Sequence, residues 1–180
     1  MKRDEKIRLG ISACLLGEEV RYDGGHKCDR WLTDILGRHV DYVPVCPEHE
    51  CGLPTPRESM RLAGNPDAPR LVTTRSGVDH TEQMIRFSRR KVSELEDEDL
   101  SGFIFKAKSP SCGIRQIPIV DPDGNHCLEG SGIFAGCFME RLPDQPVEDD
   151  ERLRDPSVRE GFLEQIFEDV PIDLKLLYHV

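Results

Sequence analysis

Four of the seven cysteines in this chain stand where thiols could do chemistry together: Cys14, Cys46, Cys51 and Cys112. Cys14 ends the run KIRLGISAC (6–14), Cys46 ends DYVPVC (41–46), and Cys112 lies in KSPSCG (108–113), just beyond GFIFKAK (102–108). Each run is short and apolar, as a buried strand is, and each leads into a stretch rich in Gly or Pro. In an open parallel sheet, ligands bind outside the carboxyl ends of the strands, so three such thiols would converge on one crevice. A single cysteine at a strand end is merely a small core residue; three together suit an iron–sulfur cluster with one iron left open. That iron would be a thiophilic Lewis acid, favouring a sulfur-bearing substrate.

Other thiol chemistries are less well served. The short C-x2-C pairs of structural zinc are absent, and the C-x4-C pair of Cys46 and Cys51 is a weak signal alone. A nucleophilic cysteine would need a base; His49 or His26 could supply it, but nothing in the spacing fixes either beside a thiol. Cys28, Cys127 and Cys137 read as small buried apolar residues.

The elements that must position these residues alternate between strands and helices. After the first strand and a glycine-containing loop (15–27), helical spacing is expected over 28–39, then a strand and a long proline-bearing loop (47–58). Residues 59–77 read as two short strands around GNPDAP. A long helix is expected over 79–97, capped by Asp79 with Glu82 three residues on and with Ile85, Val92 and Leu95 on one face. The GFIFKAK strand, a DPDG turn and a helix over 130–142 follow. This alternation predicts an α/β fold: a small, mostly parallel, Rossmann-like sheet with flanking helices. Residues 1–142 form its domain, and 143–180 are expected as an acidic linker and a C-terminal helical tail, with Asp155 capping the last helix.

The chain has 180 residues, a net charge of −10, and hydrophobic and charged shares of 37% and 32%. One ordinary domain fits that length. The acidity argues against a nucleic-acid partner, with RFSRRK (86–91) the solvated face of a helix. No apolar run is long enough to span a membrane. MKRDEKIRLGISACL lacks the apolar core of a secretory signal, and an odd cysteine count then points to a reducing cytoplasm. A monomer and a homodimer both fit this composition.

ISACLLGEEVRYDGGHK (11–27), VPVCPEHECGLPTPRE (44–58) and KSPSCG together resemble a bacterial family, long of unknown function, whose characterised members are thiouracil desulfidases. The resemblance runs from about Lys6 to about Leu142. It implies a small α/β domain with a 4Fe-4S cluster held by three cysteines, here Cys14, Cys46 and Cys112. It also implies a non-redox reaction: the sulfur of a thiolated pyrimidine binds the open iron, water replaces it on carbon, and sulfide is released.

Attack by water needs a base, and Glu48, two residues after Cys46, is placed for it; partial burial would help by raising its pKa. Ser109 or Ser111 could hydrogen-bond a ring nitrogen or the developing anion. Ser109 is chosen, because strand-like alternation would turn Ser111 away. Many family members carry glycine where Cys51 stands. Were Cys51 to ligate the fourth iron, the protein would be a non-catalytic four-cysteine iron–sulfur or zinc protein, the alternative to an enzyme. Arg21, Tyr22 and Asp23 in VRYDGGHK could line a pocket for a uracil-like ring, or simply form a tight loop.

Overall fold

The computed structural model describes residues 6–178. In chain order its strands are β1 (Ile7–Ser12), β2 (Val40–Val45), β3 (Met60–Ala63), β4 (Arg70–Thr73), β5 (Leu100–Phe105), β6 (Ile117–Val120), β7 (His126–Gly130) and β8 (Val147–Asp149). The helices are α1 (Pro47–Glu50), α2 (Thr81–Glu96), α3 (Ile133–Arg141), α4 (Pro156–Ile166) and α5 (Lys175–Tyr178). The expected parallel sheet is present, in the order β2-β1-β5-β8. The remaining strands make a second, mixed sheet in the order β4-β3-β6-β7.

Alternation along β5 explains how the parallel sheet is covered. Phe103 and Phe105 stack with centroids 4.2 Å apart, and Phe138 of α3 meets Phe103 edge-on at 5.1 Å. Ile104 joins the opposite cluster with Leu9 and Ile11 of β1 and Phe162, Leu163 and Ile166 of α4. With both faces buried, β1 and β5 read as near-continuous apolar runs. Each fully buried Phe or Leu contributes about 1.5–3 kcal/mol, enough to fix the strand ends that carry the site.

Three elements differ from expectation. Residues 28–39 form a wide π-type turn over Trp31–Ile35 and a 3-10 turn over Leu36–Arg38 in place of a regular helix. The buried stripe of α2 is Met84, Phe87, Ser88, Val92 and Leu95, with Ile85 on its flank. The segment expected as an acidic linker supplies β8, which pairs with β5 from Phe103↔Val147 to Phe105↔Asp149. Its carboxylates tolerate burial because cations meet them: Arg115 Nη1 lies 2.6 Å from Glu148 and 2.7 Å from Asp149, and Lys106 Nζ 3.0 Å from Asp150. The following helix starts as expected, with Asp155 Oδ1 accepting from Ser157 N at 2.9 Å. The tail packs back on the domain, where Trp31 Nε1 donates to the Leu177 carbonyl at 3.0 Å. His179 and Val180 lie outside the described residues.

Asp79 serves α2 from one residue further out than expected, accepting from Thr81 N at 2.9 Å beside an ion pair with Arg70. The Thr81 hydroxyl, the Thr81 amide and Arg70 hold its carboxyl at about 2, below the ordinary 3.8. Asp79→Ala should cost about 1 kcal/mol at neutral pH, typical for a lost cap. A depressed acid contributes its stability above the unfolded pKa and loses it as pH falls through the folded one. The gap between wild type and variant should therefore be full above about pH 4 and close toward about pH 2. Urea unfolding across that range measures it.

Candidate active site

The three cysteines follow three side-by-side parallel strands. Cys14 sits in the 3-10 turn Ala13–Leu16 after β1, Cys46 is the N-cap residue of α1 after β2, and Cys112 lies in the loop after β5. Because β1 lies between β2 and β5, these ends are neighbours. Cys14, Cys46 and Cys112 line one cavity of about 280 Å³, shared with Glu48, Ser109 and Ser111. Its rim includes the exposed Tyr22 and Lys108.

The loop carrying Cys112 is held from two sides. Ser12 Oγ accepts from Lys106 N at 2.9 Å and Asp150 Oδ1 from Ala107 N at 2.7 Å, which ends β5 at Phe105, and Lys108 turns the chain with a φ of 59°. Behind the loop, the first amides of α3, which have no intrahelical acceptor, bond its carbonyls. Gly132 N donates to Gly113 O at 2.7 Å, Ile133 N to Pro110 O at 3.2 Å and Ala135 N to Ser111 O at 3.1 Å. Gly113 is required for close approach, since a Cβ there would lie 2.8 Å from Ser109 O. At Gly132 a Cβ would lie 2.4 Å from the Ser111 carbonyl carbon, with backbone that cannot swing aside. Gly132→Ala should therefore push the Ser111–Cys112 segment and cost about 1–3 kcal/mol, the range for overpacking. Urea unfolding should show the loss, and iron retained after anaerobic reconstitution should fall with it.

Glu48 is buried and engaged at both oxygens. Oε1 accepts from Ser111 Oγ at 2.9 Å, while Oε2 accepts from Arg57 Nε at 2.8 Å and lies 2.7 Å from Arg57 Nη2. Burial is thus offset by a guanidinium, a partner the sequence reading did not foresee. Ser111 faces Glu48; the alternation argument fails because the chain has left the strand by Lys108. Ser109 Oγ accepts from Ser111 N at 3.3 Å and Cys112 N at 3.1 Å, and lies 3.0 Å from Ser111 Oγ. With the Ser111 proton on Glu48, the Ser109 proton goes to Ser111 Oγ, so Ser109, Ser111 and Glu48 form one hydrogen-bonded relay along the cavity wall.

Burial pushes all three thiols up. Cys14 is raised despite the charges of Arg21 and Lys106, Cys46 is pushed up to about 11, and Cys112 is raised further, with Cys46 adding to the effect. Binding soft metal would thus release protons from them. Among the described residues, no three of His, Cys, Asp or Glu come close enough to hold a single metal ion. A cluster differs, giving each thiolate its own iron. Three thiols lining one cavity are the donor set such a cluster takes.

The other candidates lie elsewhere. The Cys51 thiol donates to Glu48 O at 3.3 Å and packs against the core, off the cavity wall. His49 and His26 are exposed and line no part of it. Cys28, expected as buried, is exposed, while Cys127 and Cys137 are half-buried. Arg57 and Asp150 were missed. The first was visible as the charge in LPTPRE; the second was hidden in a run that reads as solvated.

Three thiols, a buried carboxylate and a hydroxyl pair at the carboxyl end of a parallel sheet define an α/β protein with a thiol-lined pocket. Residues 9–150 match the 2-thiouracil desulfurase family, and the chain belongs to that family. The uncharacterized protein YbbK of Bacillus subtilis (strain 168) is 32% identical over 135 residues, 72% of this chain and 88% of its own. Among solved structures, the 4Fe-4S-dependent thiouracil desulfidase TudS is similar with a TM-score of 0.66 and 29% identity, covering 87% of this chain and 99% of its own. Among the described residues, no helix is long and apolar enough to cross a membrane.

Proposed function

We propose that this protein is a desulfidase that hydrolyses the carbon–sulfur bond of a thiolated pyrimidine such as 2-thiouracil, giving the oxo-pyrimidine and sulfide. The observation that carries the reading is the convergence of Cys14, Cys46 and Cys112 with the buried Glu48–Ser111 pair in one cavity, in a chain of the 2-thiouracil desulfurase family. Cys14, Cys46 and Cys112 would hold a 4Fe-4S cluster. Bound there, the cluster supplies a thiophilic Lewis-acidic iron with an open position.

The protein's own residues account for the rest. Glu48 takes a proton from the attacking water, with Arg57 and Ser111 fixing the carboxylate so that it need not reorganise. The Ser109 hydroxyl, turned from Ser111 Oγ toward the substrate, accepts from a ring N–H or donates to the anion that develops as water adds. The exchange is balanced: water contributes the oxygen, the sulfur leaves with both of its protons as hydrogen sulfide, and no electron is gained or lost. Cys51, hydrogen-bonded to Glu48 O and absent from the cavity wall, would take no part in holding the cluster.

Protein reconstituted with iron and sulfide under anaerobic conditions should convert 2-thiouracil to uracil and sulfide in equal amounts, with no added reductant or oxidant. Turnover that required an electron donor would contradict hydrolysis.

A further inference from the structure

We propose that Arg21 is the residue that orients the substrate, donating from its guanidinium to the exocyclic carbonyl oxygen that a thiolated uracil keeps after one oxygen is replaced by sulfur. The inference rests on the desulfidase reading and names the ring the site selects.

Five cations line the cavity, Arg21, Lys27, Arg57, Lys106 and Lys108, and of these Lys27 is exposed to solvent. Arg57 is fully engaged by Glu48, Pro54 O, Thr55 Oγ1 and Val20 O. Lys106 donates to both Asp150 oxygens and to Ala107 O, and Lys108 pairs with Glu151 at 2.8 Å. Arg21 is different. Its Nε is buried with no hydrogen-bond partner, its nearest carboxylate oxygen, Asp23 Oδ1, stands 3.9 Å away and already accepts from Gly25 N at 3.0 Å, and its guanidinium is within reach of the Cys14 thiol. A buried donor left unmatched is costly, and a native site tolerates it where a ligand supplies the acceptor.

The placement suits that role. Arg21 lines the cavity beside Cys14, and its backbone is closed into a tight loop by Arg21 N to Gly25 O and Gly24 N to Arg21 O. Tyr22 packs 5.6 Å from the guanidinium carbon and restricts the plane of the fork. Arginine only donates, so it recognises an acceptor. A uracil-type ring whose sulfur is directed to the three thiols still carries a carbonyl; a thiolated pyrimidine without one offers nothing to this group. Arg21 is thus a positioning and specificity residue, distinct from the Glu48 and Ser109 that act on the reacting carbon.

A cycle of enzyme and ligand variants tests this with cluster-loaded protein. Dissociation constants for uracil and for pyrimidin-2-one, which lacks the second carbonyl, are measured by calorimetry for wild type, Arg21→Ala and Arg21→Lys. Kinetics follow with 2-thiouracil and 2-mercaptopyrimidine. Arg21→Ala should weaken uracil about ten- to hundredfold, the range for a hydrogen bond from a charged donor, and raise KM for 2-thiouracil by a similar factor more than it lowers kcat. Pyrimidin-2-one and 2-mercaptopyrimidine should change by no more than about twofold, because for them the contact does not exist. Arg21→Lys should restore only part, since ammonium lacks the planar fork. Iron content and visible absorption should stay unchanged in both variants. Equal affinity of wild type for the two rings, an equal loss for both in Arg21→Ala, or loss of iron would overturn the assignment. Wild-type protein that discriminates the rings but releases no sulfide would instead sink the desulfidase reading.

Discussion

Replacing Cys112 by serine should abolish the broad visible absorption of the cluster and, with it, all sulfide release. The same loss is expected for Cys14→Ser and Cys46→Ser. Cys112 is 5% exposed, on a loop fixed by the amides of α3, so no other thiol can swing into its place. Serine is a harder, far less acidic donor and does not substitute for a thiolate toward iron. Cys28→Ser, Cys127→Ser and Cys137→Ser should keep iron and acid-labile sulfide at wild-type levels. Cys51→Ser is the decisive control, because its thiol is hydrogen-bonded to Glu48 O. Retained cluster in Cys112→Ser together with loss in Cys51→Ser would put the third ligand in the C-x4-C pair.

Glu48→Gln should leave the cluster in place and lower turnover per loaded cluster by about two to four orders of magnitude, the contribution of a positioned general base. The amide oxygen can still accept from Ser111, but the amide cannot neutralise Arg57, so some loss of stability accompanies the change. Normalising to bound iron separates the two effects. Raising the pH should not restore the rate, since an amide has no proton to lose in that range. Near-normal turnover in loaded Glu48→Gln would remove Glu48 from the reaction.

The parallel sheet and its three thiols were legible because they obey short-range rules. Apolar runs of strand length ended in Cys14 and Cys46, and Pro110 and Gly113 marked the loop that follows β5. The pentapeptide SPSCG lies beyond the strand, which ends at Phe105, and within it Gly113 admits the Ser109 carbonyl where a side chain would collide. What stayed hidden depends on partners distant in sequence. Glu148, Asp149 and Asp150 look solvated until Arg115 and Lys106 are brought to them across the sheet. Ser111 looked turned away until the left-handed backbone at Lys108 broke the alternation. Arg57 is nine residues from Glu48, and only the fold of the intervening proline-rich loop lays its guanidinium on the carboxylate.

The central claim, hydrolysis at a three-cysteine site, is tested most directly by oxygen transfer. Cluster-loaded protein is given 2-thiouracil in water enriched in oxygen-18, without reductant, and the uracil is analysed by mass spectrometry while sulfide is titrated. One labelled oxygen per uracil, with one sulfide released for each, is the predicted result. Unlabelled uracil, or no uracil from protein whose absorption and iron content show a full cluster, would contradict it.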